Sequence, residues 1–120
     1  MATVMIVDDS RTMRKMLAGA LKQAGYEVVG DAGNGEEALK LLESVKPDLI
    51  TLDITMPVMD GMTALEKIKE RDPSQKVIMV SAAGQKDKVI GALKIGALDF
   101  IQKPFDEKTV LETVNRILPL

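Results

Sequence analysis

Three aspartates, one serine and one lysine stand where short apolar runs stop. Asp8 and Asp9 follow Val4-Met5-Ile6-Val7, Asp53 closes a run that begins at Asp48, and Ser81 closes one from Lys76. Lys103-Pro104 follows a run ending at Gln102. If these ends meet, three carboxylates, a hydroxyl and an ammonium share one patch. Crowded carboxylates repel: a pair at 4 Å costs about 1 kcal/mol in water and about 4 kcal/mol at an effective dielectric of 20. Such a group takes up a proton or holds a cation.

The chain has no histidine and no cysteine, so the ligands are oxygens and the ion they suit is hard. Few carboxylates with room for water suit Mg2+, whereas Ca2+ takes more ligands and there is no EF-hand loop. Asp53 is the best nucleophile candidate. A carboxylate attacks phosphorus without losing a proton first and forms an acyl phosphate. A metal and Lys103 would neutralise charge on the transferring oxygens, and the Ser81 hydroxyl could donate to one of them. Ala82 is small enough to leave room for a phosphodonor.

Whether these residues meet depends on the elements that carry them. Five runs read as strands: Val4 to Val7, Glu27 to Asp31, Asp48 to Asp53, Lys76 to Ser81 and Leu98 to Gln102. The first, third and fourth are almost continuously apolar, as in central parallel strands buried on both faces. The second is more polar and belongs at an edge. Helical stripes alternate with them. Met13, Leu17, Ala20, Leu21 and Ala24 mark the first, stopped by Gly25. Ala38, Leu41, Leu42 and Val45 mark the second, behind an Asn34…Glu37 capping box. Met62, Leu65 and Ile68 mark the third, and Val89, Ile90, Ala92 and Leu93 the fourth, which ends at Gly96. Val110, Leu111, Val114, Ile117 and Leu118 mark the fifth. Met5, Met13, Met16 and Met79 read as core filler.

Strict alternation of strand and helix implies an α/β fold with a parallel sheet and helices on both faces. A polar second strand at the edge selects the flavodoxin-like (βα)5 arrangement, a five-stranded sheet of order 2-1-3-4-5. In that order the binding crevice lies beyond the carboxyl ends of strands 1 and 3. The aspartates, Ser81 and Lys103 all sit at those ends. The topology therefore predicts one site built from residues that each read alone as a cap or a loop residue.

Composition narrows the function. A length of 120 residues fits one domain, and the expected organisation is a single unit over 1–120 with no output domain. A net charge of -2 and three aromatics (Tyr26, Phe100, Phe105) argue against nucleic-acid binding. The first apolar run is too short for a signal peptide, and no stretch is long enough to span a membrane, so a cytoplasmic protein is expected.

The motifs resemble the receiver domains of bacterial two-component response regulators, and within them the single-domain chemotaxis regulators. The resemblance rests on Ile6-Val7-Asp8-Asp9-Ser10, Leu52-Asp53-Ile54-Thr55-Met56-Pro57, Met59-Asp60-Gly61, Val80-Ser81-Ala82, and Gly96-Ala97 through Phe100 to Lys103-Pro104-Phe105. It implies that Asp53 accepts phosphate from a histidine kinase. It implies Mg2+ held by Asp9, Asp53 and the Thr55 carbonyl, with Asp8 acting through water, and contacts from Ser81 and Lys103 to the phosphoryl group. It also implies a cis bond before Pro104 and a switch aromatic, Phe100, that turns inward as Ser81 moves. Thr55 and Ala83 would tune dephosphorylation.

The implied output is the surface of the fourth helix, fifth strand and fifth helix, with the flagellar motor switch as target. A phosphatase is a further partner, and the chain is expected to be a monomer. Ile95, off the apolar stripe, is either a partner contact or a half-buried helix-end residue. The alternative function is a phosphorelay intermediate that passes its phosphate to a histidine phosphotransferase. The run Ser81-Ala82-Ala83-Gly84-Gln85 resembles chemotaxis regulators more than relay proteins. A turnover phosphohydrolase would need a second acid two residues after the nucleophile, where Thr55 stands, so no enzyme is expected. A flavin or nucleotide binder would need a glycine- and hydroxyl-rich first loop rather than Asp8-Asp9.

Overall fold

The computed structural model describes all 120 residues. Strands and helices alternate along it: β1 (Thr3–Val7), α1 (Arg11–Gln23), β2 (Glu27–Ala32), α2 (Gly35–Leu41), β3 (Leu49–Asp53), α3 (Gly61–Arg71), β4 (Lys76–Ser81), α4 (Lys86–Ile95), β5 (Asp99–Gln102) and α5 (Glu107–Ile117). All four strand pairings are parallel, and the order is β2-β1-β3-β4-β5. This is the expected sheet. The apolar runs become the central strands because burial on both faces requires apolar residues at every position: β3 is buried along its whole length, and β1 and β4 all but their first residue. The polar β2 lies at one edge. β5, at the other edge, buries only Ile101.

Successive side chains of each strand go to opposite faces. Met5, Val7, Ile50, Leu52, Val77 and Met79 pack beneath α2, α3 and α4, against Ala38, Leu65, Ile68 and Ala92. Val4, Ile6, Leu49, Ile78 and Ile101 pack beneath α1 and α5, against Leu17, Leu21, Val110 and Val114. Each fully buried Leu, Ile or Met contributes roughly 1.5–3 kcal/mol. Two such layers clamp the sheet, so its carboxyl end forms a rigid rim.

The caps fix where helices begin on that rim. Ser10, Asn34, Asp60 and Asp106 each accept a backbone N–H three residues on, capping α1, α2, α3 and α5. The Asn34…Glu37 box forms differently from expectation. Asn34 accepts the Glu37 N–H, but Glu37 receives the Asn34 side-chain amide rather than its backbone N–H. Only α4 has no side-chain cap, although Gln85 stands at the cap position.

Several apolar residues depart from the periodic reading. Met16 is exposed on α1, so it fills no core. Ile90 and Leu93 are exposed on α4, which buries only Val89 and Ala92. Ile95 packs against the larger core as a half-buried residue. α2 ends at Leu41, short of Val45, because Glu43 and Ser44 N–H groups tighten to Lys40 and Leu41 carbonyls in three-residue steps. Leu39 is buried there although it falls outside the stripe.

The loop after β3 holds one strained residue. Val58 has φ 67°, and the Met59 N–H donates to the Pro57 carbonyl at 2.7 Å, which closes a three-residue turn around it. A β-branched residue in that region costs about 1–3 kcal/mol. Its side chain is exposed and gains no packing in return. Val58→Gly is therefore expected to stabilise the fold by about 1 kcal/mol, after the entropy glycine loses on folding. Urea unfolding checks this; an unchanged or lower midpoint would refute the strain.

Candidate functional site

Asp53 is the last residue of β3 and pairs in register with Val80. Asp8 and Asp9 follow β1 directly. The helix cap in that loop is Ser10, so neither aspartate is used as one. Asp8, Asp9 and Asp53 bring a carboxylate oxygen each to within 4.8 Å of one another. Asp8 and Asp53 are buried, and Asp9 is exposed at the mouth.

Lys103 reaches in from beyond β5. Its backbone N–H donates to the Ser81 carbonyl at 2.7 Å, and the Lys103–Pro104 bond is cis. Its Nζ lies 3.1 Å from Asp8 Oδ2 and 3.2 Å from Asp53 Oδ2. The contact with Asp53 is an aligned hydrogen bond. The one with Asp8 is a close ion pair to a fully buried oxygen. Asp8 Oδ1 accepts the Ser10 N–H at 2.8 Å.

Charge does not balance here. Three carboxylates face one ammonium. Burial first, then the neighbouring charge of Asp8, pushes the Asp53 carboxyl above the usual aspartate range, and Lys103 offsets this only in part. Burial pulls the Lys103 ammonium down, but contact with Asp8 and the charges of Asp53 and Asp8 raise it further, so it stays charged. The Thr55 carbonyl accepts no hydrogen bond and lies two residues past Asp53. An all-oxygen set with excess negative charge and a free carbonyl fits a hard divalent cation.

Ser81 is buried at the end of β4, one position past the register partner of Asp53. It also lines a groove of about 320 Å³ with Gln85, Val89, Ile90, Leu93 and Phe100. Phe100 points outward and is 40% exposed. A larger groove, about 590 Å³, lies between the C-terminal ends of α2 and α3. It lies at the far end of the sheet from the carboxylates, so size does not locate the chemistry.

Three residues that the motif chemistry did not single out also shape the site. Arg14 donates to the Asp8 carbonyl at 2.7 Å and pairs with Asp31 at 2.8 Å, tying α1 and β2 to the first acidic loop. The Gly61 N–H donates to the Ile54 carbonyl at 2.7 Å, and the Asp53 carbonyl occupies the space that a β-carbon would need there. Gln85 spans two loops: the Ala82 N–H donates to its Oε1 and its Nε2 donates to the Thr55 hydroxyl, both at 2.6 Å. Gln85 lies in a run that carries the resemblance, but no linear pattern announces its bridging role or that of Arg14, since both act on atoms distant in sequence or on backbone. Gly61 carries a readable signal, a glycine directly after a capping aspartate.

Comparison with known proteins agrees with this geometry. The response regulator receiver domain matches residues 4–115. The chain is 52% identical over 116 residues to the chemotaxis protein CheY of Listeria monocytogenes, covering 97% of this chain and 98% of that protein. It is 49% identical over 114 residues to CheY of Thermotoga maritima, covering 95% of each. Among solved structures it is similar to that of the CheX–CheY–BeF3–Mg2+ complex from Borrelia burgdorferi, with TM-score 0.93, 41% identity, and 97% and 88% of the two chains covered. A sheet of order 2-1-3-4-5, a carboxylate cluster with a lysine at its carboxyl rim, and a family match over nearly all residues lead to one conclusion: this chain belongs to the response regulator receiver domains of two-component signalling.

Proposed function

We propose that the chain is a cytoplasmic, phosphorylation-switched chemotaxis regulator with Asp53 as its phosphoacceptor, folded as a single receiver domain. The observation that carries this reading is the convergence of Asp8, Asp9, Asp53 and Lys103 at the carboxyl rim. An Asp53 oxygen attacks phosphorus, the bond from phosphorus to the donor's histidine nitrogen breaks, and the imidazole leaves and is protonated from solvent. Asp9, Asp53 and the Thr55 carbonyl would hold Mg2+, with Asp8 acting through water. When bound, that ion neutralises charge on the phosphoryl oxygens. The Lys103 ammonium neutralises more of it, and the Ser81 hydroxyl donates to an oxygen. The chain does not turn over a substrate; the added charge is its output.

The phosphoryl group brings about two negative charges to a rim that already holds an excess. Ser81 adjoins both the acceptor and the groove under Phe100, so a shift of Ser81 toward the phosphate opens room for the ring to turn inward. That favours a second arrangement of α4, β5 and α5. Exposed Ile90, Leu93 and Phe100 supply apolar contact on this surface. The kinase would be of the chemotaxis type and the target the flagellar motor switch, readings supported by the identity to CheY proteins. The Borrelia CheX–CheY complex supports a further protein partner.

The test is uptake from acetyl phosphate followed by intact mass. One phosphoryl group per chain is expected with Mg2+, and none after chelation with EDTA. No uptake in either condition would sink the acceptor reading. Loaded protein should then bind a motor-switch segment; transfer to a histidine phosphotransferase without such binding would replace chemotaxis with a phosphorelay role.

A further inference from the structure

The one helix without a side-chain cap begins at Gln85, and the side chain that could cap it is engaged elsewhere. Gln85 Oε1 accepts the Ala82 N–H at 2.6 Å, and Nε2 donates to Thr55 Oγ1 at 2.6 Å. The amide orientation is fixed by chemistry, because a backbone N–H only donates and must face the carbonyl oxygen. The carboxamide thus bridges the loop after β4 to the loop after β3, the two loops that flank Asp53.

The Ala82 N–H is the first donor past the end of β4. Two residues earlier, the Val80 carbonyl accepts the Ile54 N–H at 3.1 Å, so this side of β4 faces β3. Continuing the two-residue repeat, the Ala82 N–H faces the acceptor loop. The Ile54 carbonyl that would continue the ladder is taken by the Gly61 N–H at 2.7 Å. The donor is therefore left for Gln85 or for an anion carried on Asp53.

We infer that Gln85 is a positioning residue that clasps the two loops in the unphosphorylated state and competes with the phosphoryl group for the Ala82 N–H. The inference rests on the reading of Asp53 as phosphoacceptor. A phosphoryl oxygen forms a charge-assisted bond, roughly twice as strong as the neutral one to the carboxamide, and displaces it. The freed side chain lets go of Thr55 at the same time. It stands at the N-terminus of α4, whose first N–H groups lack a side-chain partner. Loading of Asp53 is thereby coupled to the start of α4, the helix that carries Ile90 and Leu93.

The coupling predicts opposite effects from two variants. Beryllofluoride with Mg2+ is the probe, titrated against the 15N-labelled full chain, with the Ala82 amide resonance as readout. Gln85→Ala frees the donor in advance and is expected to tighten binding about 5-fold, the scale of one net hydrogen bond. Gln85→Glu holds the N–H with a charged acceptor and repels the incoming anion, so binding is expected to weaken about 5-fold or more. Without beryllofluoride, the Ala82 amide should exchange with solvent faster in Gln85→Ala than in the wild type. Equal affinity in all three proteins, or weaker binding by Gln85→Ala, overturns the clasp alone. A wild type that binds no beryllofluoride overturns the acceptor reading and the clasp with it.

Discussion

Asp53→Asn is expected to abolish phosphoryl uptake and, in the same protein, to raise the melting temperature measured without Mg2+. The first effect follows from chemistry. An amide oxygen is no substitute for a carboxylate nucleophile, and Asp8 and Asp9 sit on a different strand end. The second follows from electrostatics. Asp53 is buried beside Asp8, and its carboxyl lies above the usual aspartate range for that reason. An acid whose folded pKa is raised binds its proton more tightly in the folded state, so its charge opposes folding once pH exceeds the folded pKa.

The neutral isostere removes that cost at pH 7, worth about 1–3 kcal/mol on the scale of an imperfectly satisfied buried group. Lys103 keeps Asp8 at 3.1 Å and is not stranded. As pH falls through the folded pKa toward the ordinary aspartate value, wild type regains what the variant already has, and the two melting temperatures converge. Mg2+ should raise the wild-type melting temperature by mass action and the variant's less. Full labelling of Asp53→Asn at wild-type stoichiometry would place the acceptor elsewhere. A variant less stable than wild type at neutral pH would refute the electrostatic account.

That the carboxylates meet is legible in the sequence, because a parallel sheet of this order brings the ends of β1, β3 and β5 to one rim. The apolar runs encode the central strands directly: burial on both faces leaves no room for alternation. Periodicity was less informative for helices. Val89, Ile90, Ala92 and Leu93 mark α4, yet it buries only Val89 and Ala92, because a wide apolar stripe does not say how much of itself the sheet covers. Met16, read as core filler from residue type alone, is exposed because it falls off the stripe that α1 buries. Within the site, Asp8, Asp9, Asp53 and Lys103 were readable from residue type and place. Arg14 and Gln85 were not, since each acts through hydrogen bonds to the backbone or across loops, which many polar residues could make equally well. Such contacts depend on the detailed path of the loops, and that path is set only once the two layers have packed.

Gly61 shows how closely the path of one loop is tied to Asp53. Gly61→Ala is expected to destabilise the fold by about 3 kcal/mol, the upper range for forcing an extra carbon into a packed site. A β-carbon there would overlap the Asp53 carbonyl and lie 2.8 Å from the Ile54 α-carbon. Both obstacles are backbone, one of them in the last residue of the central strand, so neither moves aside as a flexible side chain would. Relief requires α3 to shift away, which stretches the 2.7 Å bond from the Gly61 N–H to the Ile54 carbonyl. The alternative is for β3 to shift, which displaces the Asp53 carboxylate from Lys103 and Asp8. Either route damages the site, so phosphoryl uptake should fall even at temperatures where the variant is folded. Gly19→Ala is the control. Gly19 is exposed on α1 with nothing within 4 Å of the added carbon, and its substitution is expected to stabilise by about 0.5–1 kcal/mol. The same substitution should thus change sign between two helices, as read by urea unfolding. A Gly61→Ala protein with native stability and uptake would show that the end of β3 is not held by this contact.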